Sequence, residues 1–326
     1  MTRISEPFNV GVVGLGVMGQ RMLARLAEHP KASALAAWDP NPAAVAEVRQ
    51  RHPGLRIAAS AAEVIATPGL DCLYIASPPA NHLAYAHLGF DAGLAVFCEK
   101  PLSVDFAAGR KAIARIEAEN RRAAVNFSLA SSPGLAAMQA AVRDGSIGEP
   151  QRVEIELAFE QWPRAWQAAA GRWLAERTEG GFSREVLSHF VFVLQRVLGQ
   201  AVVEAARPDY PADGRSAERA LTASLIAGGV PVTIEAKVGG SHPDFNRMTL
   251  LGSAGALEIH DWLGLRRRKD GGDWIAVGDP QSNRQISQSA QLDQVTAMID
   301  GRPHTLPGFA EALAVQETIE AMLKGR

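Results

Sequence analysis

Two segments of the sequence carry side chains that could exchange a proton with a bound substrate. In the first, Lys100 follows an apolar run that ends at Cys98, so it would lie where a buried strand ends. An ammonium group there can hydrogen-bond a substrate hydroxyl, and partial burial would lower its pKa toward a useful range. The alternative is a solvated lysine at the end of a strand.

The second segment places a carboxylate and an imidazole four residues apart. Glu185 and His189 lie on a predicted helix that follows Gly180 and Gly181. Residues at this spacing share one helix face, and a carboxylate beside an imidazole orients the ring and raises its basicity. The pair would suit removal of a proton from an alcohol, although the same spacing is common in surface ion pairs. The two glycines favour the chemical role, because they allow a ligand or backbone to approach closely.

A glycine turn near the N-terminus has the spacing of a dinucleotide-binding loop. An apolar run leads into the turn, and helically spaced apolar residues follow it. In this pattern Gly14 permits a tight turn, Gly16 lets the backbone approach a pyrophosphate, and Gly19 lets the helix pack on the strand. The pyrophosphate would lie over the unpaired N–H groups of a helix that begins near Met18, and Val17 and Met18 belong to the predicted cofactor site.

A candidate partner for the ribose lies about 20 residues beyond the last glycine, where the pattern requires it. Asp39 ends an apolar run, and its carboxylate could accept both ribose hydroxyls while repelling a 2′-phosphate. No basic residue follows it in Asp39-Pro40-Asn41-Pro42. The sequence therefore favours NAD over NADP, unless Arg49 or Arg51 folds back toward this position.

Two further strand ends should meet the same edge of the sheet. Ser77-Pro78-Pro79 follows one apolar run and would form a rigid shelf suited to a flat ring. His82, just beyond, could serve the site or merely begin a helix. Glu99 follows the neighbouring run, beside Lys100. We include all of these residues in the predicted cofactor site.

The loop 160–180 combines tryptophans with arginines. As a hypothesis it forms a pocket wall, in which aromatic faces stack on a ring and an arginine binds a carboxylate. The alternative is that the tryptophans pack on a sheet. The candidate substrate contacts in this loop are Trp162, Arg164, Trp166 and Arg172.

The order of elements predicts two α/β domains, 1–125 and 126–326. In the first, short apolar runs alternate with helical stretches, which indicates a doubly wound parallel sheet whose ligands lie beyond the strand ends. In the second, strands dominate and their short spacing indicates a largely antiparallel sheet, interrupted by a helix near Arg184–Leu198 and closed by one near Gly308–Lys324.

Composition excludes several classes of function. The net charge of −2 and the lack of a long basic block argue against nucleic acid. No run approaches the ~18 apolar residues that span a bilayer, and the N-terminus lacks the apolar core of a signal peptide. Cys72 and Cys98 lie in separate apolar runs and are expected to be buried thiols, as in the reducing cytosol. No Cys/His cluster has metal-ligand spacing.

Taken together, these motifs resemble the glucose–fructose oxidoreductase / inositol dehydrogenase / MocA (Gfo/Idh/MocA) family. The resemblance spans nearly the whole chain, and the motif around Lys100 is its most specific part. The matching segments are Gly14-Leu15-Gly16-Val17-Met18-Gly19, Ser77-Pro78-Pro79, Cys98-Glu99-Lys100-Pro101-Leu102 and Gly180-Gly181 with His189.

Membership would imply a Rossmann domain and an α/β domain whose open sheet mediates a homodimer or homotetramer. It would also imply hydride transfer between nicotinamide and a carbinol carbon of a sugar, polyol or related ring. By the resemblance, Lys100 matches the catalytic lysine of the family and His189 its usual acid–base histidine.

The chain departs from the family pattern at three places. Glu185 stands where the family usually has Asp, Phe192 stands where an acid is common, and residues 126–133 lack the usual arginine. Two alternatives therefore stay open: a cofactor-binding regulator or scaffold without turnover, and a glycoside hydrolase that recycles NAD within each turnover.

Overall fold

The computed structural model describes residues 7–170 and 172–325, and the side chains of residues 168–170 and 172 lie outside that description. The chain divides into two compact units. The first comprises the chain up to Phe127 together with Gln288–Leu313. The second comprises Ser128–Ser287 together with the chain from Ala314 onward.

The first unit is built on a parallel sheet of six strands. These are β1 (Phe8–Val13), β2 (Ala32–Trp38), β3 (Arg56–Ile57), β4 (Cys72–Ile75), β5 (Ala95–Glu99) and β6 (Ala123–Asn126). Their order across the sheet is β3-β2-β1-β4-β5-β6, so the direction of winding reverses between β1 and β4. Ligands of such sheets bind beyond the carboxyl ends of the strands at that reversal.

Helices connect the strands of the first unit. They are α1 (Val17–Glu28), α2 (Pro42–Arg51), α3 (Ala61–Ile65), α4 (His82–Asp91) and α5 (Phe106–Glu119). Apolar residues of strands and helices form one buried core, to which Val12 and Tyr74 contribute from the sheet and Leu23 from α1. Leu292 and Val295, from the segment that returns late in the chain, belong to the same core.

The second unit is built on an eight-stranded sheet. Its strands are β7 (Pro150–Phe159), β8 (Ala201–Asp209), β9 (Ala220–Ala227), β10 (Val230–Val238), β11 (Phe245–Gly252), β12 (Gly255–His260), β13 (Gly264–Lys269) and β14 (Ile275–Ala276). The order is β14-β13-β12-β11-β7-β10-β9-β8. Only β7 and β10 pair in parallel among these described strands, and the other pairs are antiparallel.

The later helices are α6 (Pro133–Asp144), α7 (Ser188–Leu198), α8 (Pro280–Ile299) and α9 (Phe309–Lys324). A π-helical turn, Ser183–Leu187, runs directly into α7. Short 3-10 segments occupy Ala165–Ala170 and Arg172–Ala175.

Strand β10 shows why this sheet has two different faces. Val232, Ile234 and Ala236 are buried, whereas the alternate residues Thr233 and Glu235 are exposed. Successive side chains of a strand point to opposite faces, so one face of the sheet packs on apolar side chains and the other is polar.

The predicted fold class is confirmed: a doubly wound parallel sheet is joined to a largely antiparallel one. The domain prediction, 1–125 and 126–326, differs from the two units at one important point. It assigns Gln288–Leu313 to the second domain, whereas this segment packs in the core of the first unit. Among the described residues, no helix is both long and apolar enough to cross a membrane.

Candidate active site

Gly14 and Gly16 lie in the turn between β1 and α1, and Gly19 lies in the first turn of α1. Gly14 adopts φ +99°, and a Cβ there would collide with the backbone carbonyl group of Ala76. A Cβ on Gly19 would collide with the carbonyl oxygen of Gly14. The backbone of α1 therefore packs directly against the backbone at the end of β1. Gly16 is exposed, and a Cβ there would meet no described atom within 4 Å. The turn is therefore tight on one side and open on the other.

The N-terminus of α1 is open to an anion. Gly16 is the N-cap residue, and among the described residues no side chain caps the helix. The first N–H groups of a helix lack intrahelical partners and carry partial positive charge. The open side of the turn and the uncapped helix end together fit a pyrophosphate, as in dinucleotide-binding folds.

Asp39 lies just past the end of β2 and is tied to this turn. Its Oδ2 accepts a hydrogen bond from the backbone N–H of Leu15 at 2.7 Å, and its Oδ1 accepts one from Asn41 at 2.7 Å. A carboxylate has about four lone-pair sites, so acceptor capacity remains for ribose hydroxyls. Arg51 pairs with Glu47 at 2.7 Å and donates to Gln20 at 2.7 Å.

His82 lies behind the shelf that follows β4. The side chain is only 1 % exposed, with Nε2 2.8 Å from the carbonyl oxygen of Ser77 and Nδ1 2.8 Å from that of Pro101. Burial lowers the pKa of His82, while its contacts with the two carbonyl groups act in the opposite direction. The ring therefore joins the loop that contains Pro78 and Pro79 to the loop that follows Lys100.

Glu99 is buried at the end of β5 in a polar network. Tyr74 donates its hydroxyl to Oε1 of Glu99, and the amide of Asn126 donates to the same oxygen at 2.7 Å. Gln291 in turn donates to Asn126 at 2.7 Å. Burial, reinforced by the charge of Glu99, raises the pKa of Tyr74 well above its ordinary value. The network fixes the strand end from which Lys100, which is half-buried, projects.

In the second unit, the predicted acid–base pair lies where the π-helical turn meets α7. Glu185 is half-buried within the turn, and His189 is 4 % exposed in the first turn of α7. π-helical turns are rare and often occur at functional sites.

A buried carboxyl group anchors the start of this segment. Oε1 of Glu218 accepts the backbone N–H of Ser183 at 2.8 Å, and a Cβ on Gly181 would collide with the same carboxyl group. Burial raises the pKa of Glu218, while hydrogen bonds from Ser183 and, to a smaller extent, the charge of Arg184 act in the opposite direction. The Gly180-Gly181 pair thus allows backbone atoms and the buried side chain of Glu218 to approach closely. The predicted close approach of a ligand stays a prediction.

Sequence reasoning missed one aromatic neighbour of His189. The indole of Trp262 lies edge-on to the imidazole, with ring centroids 5.2 Å apart and planes at 76°. Trp262 follows β12 in a short turn, and a single tryptophan there has no pattern that would single it out.

The tryptophans of the loop 160–180 differ in their surroundings. Trp162 packs on Phe159 and Phe182 and donates its indole N–H to the carbonyl of Leu174 at 2.9 Å, so it contributes to the core. Trp166 is 46 % exposed, with the guanidinium of Arg164 4.7 Å from its ring centroid.

The side chain of Arg172 lies outside the described residues. In the described part of the chain, no group of three or more His, Cys, Asp or Glu residues is arranged to hold a metal ion.

Comparison with known proteins identifies related sequences for both units. The model of the oxidoreductase family with an NAD-binding Rossmann fold matches residues 8–127. The model of the C-terminal alpha/beta domain of that oxidoreductase family matches residues 139–325.

Several related proteins are named as inositol dehydrogenases. Inositol 2-dehydrogenase from Pseudomonas syringae pv. syringae is 33 % identical over 144 residues, which cover 43 % of this chain and 43 % of that relative. Inositol 2-dehydrogenase 1 from Saccharopolyspora erythraea is 27 % identical over 337 residues, covering 97 % of this chain and 94 % of the relative.

A solved structure shares the fold over nearly the full length. It is an oxidoreductase from Agrobacterium radiobacter in complex with NAD+, L-tartaric acid and magnesium. Its TM-score is 0.84 at 17 % identity, with 97 % of this chain and 95 % of that chain covered.

Proposed function

The chain belongs to the Gfo/Idh/MocA oxidoreductase family, and from this membership we propose that it is an NAD-dependent dehydrogenase. It would transfer hydride between nicotinamide and a carbinol or carbonyl carbon of a sugar, polyol or related cyclic substrate. The observation that carries the proposal is the glycine turn, which is open at Gly16 beside an uncapped helix N-terminus.

NAD is the proposed cofactor. The backbone of residues 14–19 would hold the pyrophosphate, and Asp39 would accept the ribose hydroxyls. The carboxylate of Asp39 would repel a 2′-phosphate, and Arg51 is engaged by Glu47 and Gln20. Ser77-Pro78-Pro79 would support the nicotinamide ring, which when bound supplies the hydride acceptor.

Proton transfer is assigned to residues of this chain. Lys100 would donate a hydrogen bond to the reacting hydroxyl oxygen, and His189 or Lys100 would take its proton. Glu185, four residues before His189, would orient the imidazole and raise its basicity. Burial of His189 supports this role, because a buried acid–base group is shielded from competing water.

A cyclic polyol or sugar is the substrate class that the named relatives support. Glu185 and Phe192 stand in place of the acids usual in the family, so the substrate contacts would differ from those of a standard polyol dehydrogenase. The exposed Trp166 and the neighbouring Arg164 would suit a ring that carries a carboxylate.

We also propose that the protein is cytoplasmic and that it forms a homodimer or homotetramer through its eight-stranded sheet. This proposal rests on the family membership, and the face it would use is the exposed one that includes Thr233 and Glu235. Sedimentation of the full chain would give the oligomeric state directly.

The direct test is an oxidation assay with a panel of polyols, sugars and sugar acids. Purified protein is mixed with NAD and each compound, and the absorbance of the reduced nicotinamide is followed. NADH formation with at least one compound is expected. No reduction with any compound would favour a regulator or scaffold, and steady product without net NADH would favour glycoside cleavage.

Lys100→Ala tests the assignment of the lysine. A positioned acid–base group contributes about 10²–10⁴-fold, so turnover should fall at least about 10²-fold. Binding of NAD, measured by fluorescence titration, should survive. Lys111→Ala, which removes an exposed lysine of α5, is the matched control and should leave turnover unchanged. Near-normal turnover of Lys100→Ala would overturn the assignment.

A further inference from the structure

The turn between β12 and β13 holds Trp262 in an unusual backbone conformation. Asp261 and Trp262 have φ +46° and +72°, both in the left-handed region. Positive φ at two successive turn residues normally selects Gly, Asn or Asp, because a larger side chain brings its Cβ close to the backbone. Asp261 fits this preference, but a tryptophan does not.

Asn246 of β11 holds the turn in place. Its side-chain Oδ1 accepts the backbone N–H of Trp262 at 2.9 Å, and its carbonyl oxygen accepts the N–H of Asp261 at 2.9 Å. Asn246 is itself buried. These two hydrogen bonds to the buried Asn246 therefore fix the backbone conformation from which the indole projects.

The indole is directed onto the start of α7. It lies edge-on to His189 at 5.2 Å and also packs on Phe190, with centroids 6.0 Å apart. Unfavourable backbone conformations persist where the surroundings enforce them, and they concentrate at functional sites. In this turn the enforced conformation brings the indole of Trp262 against the imidazole of His189 and the ring of Phe190.

We propose that Trp262 is a positioning residue for His189. The indole fixes the plane of the imidazole and covers one of its sides, so that the ring is aligned before substrate binds. This assignment rests on the proposed acid–base role of His189. It adds a group from the β12–β13 turn that works through the histidine rather than on the substrate.

Trp262→Gly is the informative variant. Glycine adopts positive φ without strain, so the turn and its hydrogen bonds to Asn246 are kept while the ring is removed. We expect kcat to fall at least about tenfold, because small misplacements of an acid–base group cost large factors in rate. The pH profile of kcat should shift, while KM changes less than kcat.

Two further variants distinguish a positioning role of Trp262 from a general loss of folded structure. Trp262→Phe keeps an aromatic edge against His189 and should restore kcat to within about threefold of the parent protein. Trp274→Gly is the matched control, because Trp274 packs on Arg266 and Arg268 elsewhere in the sheet. Its kcat and pH profile should be unchanged, and circular dichroism should show the fold intact in all three variants.

The outcomes show separately whether the positioning role of Trp262 fails or the proposed acid–base role of His189 fails. If His189→Ala abolishes turnover but Trp262→Gly leaves kcat and its pH profile unchanged, Trp262 does not position the histidine. A rise in KM alone in Trp262→Gly would likewise overturn the inference, since it would indicate a substrate contact. If His189→Ala is itself fully active, the assigned role of the histidine fails first.

Discussion

His82 ties together two loops of the first unit that carry predicted site residues. Its ring nitrogens lie 2.8 Å from the carbonyl oxygens of Ser77 and Pro101, and the ring is buried. A neutral imidazole has one N–H, so it donates to only one of these oxygens at a time. The geometry favours a role in holding the shelf and the Lys100 loop in register, over the predicted direct contact with a cofactor.

The selectivity for NAD should depend on the charge of Asp39. A hydrogen bond to a charged group contributes about 1.5–3 kcal/mol, which corresponds to about 10- to 150-fold in affinity. Asp39→Ala should therefore raise the KM for NAD by one to two orders of magnitude. Steady-state kinetics with NAD and NADP measure the effect.

Asp39→Asn is the matched control for this substitution. Its amide oxygen can still accept the N–H of Leu15, while the charge that would repel a 2′-phosphate is gone. The ratio of kcat/KM for NADP over NAD should rise in Asp39→Asn. An unchanged ratio would show that Asp39 does not set the cofactor preference.

At the scale of elements, Gly16 in the turn between β1 and α1 and Gly19 in the first turn of α1 should respond in opposite ways to substitution by alanine. Gly16 has open space where a Cβ would be, so Gly16→Ala should keep its melting temperature. Its methyl group would occupy the proposed pyrophosphate position and should weaken NAD binding at least about tenfold, or ~1.4 kcal/mol.

Gly19→Ala should instead destabilise the fold. Its Cβ would collide with the carbonyl oxygen of Gly14, and such overpacking costs about 1–3 kcal/mol. Thermal unfolding and NAD titration of both variants give the comparison. Equal melting temperatures with equal NAD affinities would contradict the distinct roles assigned to the two positions.

The sequence predicts the sheets better than it predicts the helices around them. Short apolar runs bounded by turn residues are typical of strands, and the run that leads into the glycine turn forms β1 as predicted. Helix α8 was missed. Its sequence is largely polar, and its residues divide between the two units, so no single apolar stripe runs along it.

Some residues of the candidate site lie in sequence motifs and could be predicted, whereas others are brought there by tertiary contacts and could not. Gly14, Lys100 and His189 stand in motifs whose spacing carries chemical meaning. Trp262 does not, because its contact with His189 depends on a turn between strands distant in sequence. Glu218 likewise reaches Ser183 across 35 residues, and no local pattern records that approach.

At the scale of the whole molecule, most ionic interactions should add little to stability. Pairs such as Arg219 with Asp209 and Arg51 with Glu47 have both partners substantially exposed. Exposed pairs contribute about 0–1 kcal/mol and are screened by salt. The pH dependence of unfolding should therefore depend chiefly on groups whose pKa differs between the folded and unfolded chain, such as Glu218, Asp213 and His82.

Glu218 and Asp213 should act on that dependence with opposite signs. The pKa of Glu218 is raised by burial, so its contribution to stability is full below about 4.5, the unfolded value, and is lost as pH rises through the folded value. The pKa of Asp213 is lowered to about 2, chiefly by hydrogen bonds from Ser216. Its contribution is present above about 4 and is lost as pH falls toward 2.

Glu218→Gln should consequently gain stability relative to the parent protein as pH rises above about 4.5. The amide oxygen of Gln can still accept the N–H of Ser183, and no charge remains to be desolvated at this buried position. Loss of one titrating group changes the slope by at most about 1.4 kcal/mol per pH unit. Asp213→Asn should flatten the profile only on the acid side. Urea unfolding at a series of pH values measures both, and a Glu218→Gln profile parallel to the parent's would mean that this carboxyl group titrates alike in the folded and unfolded chain.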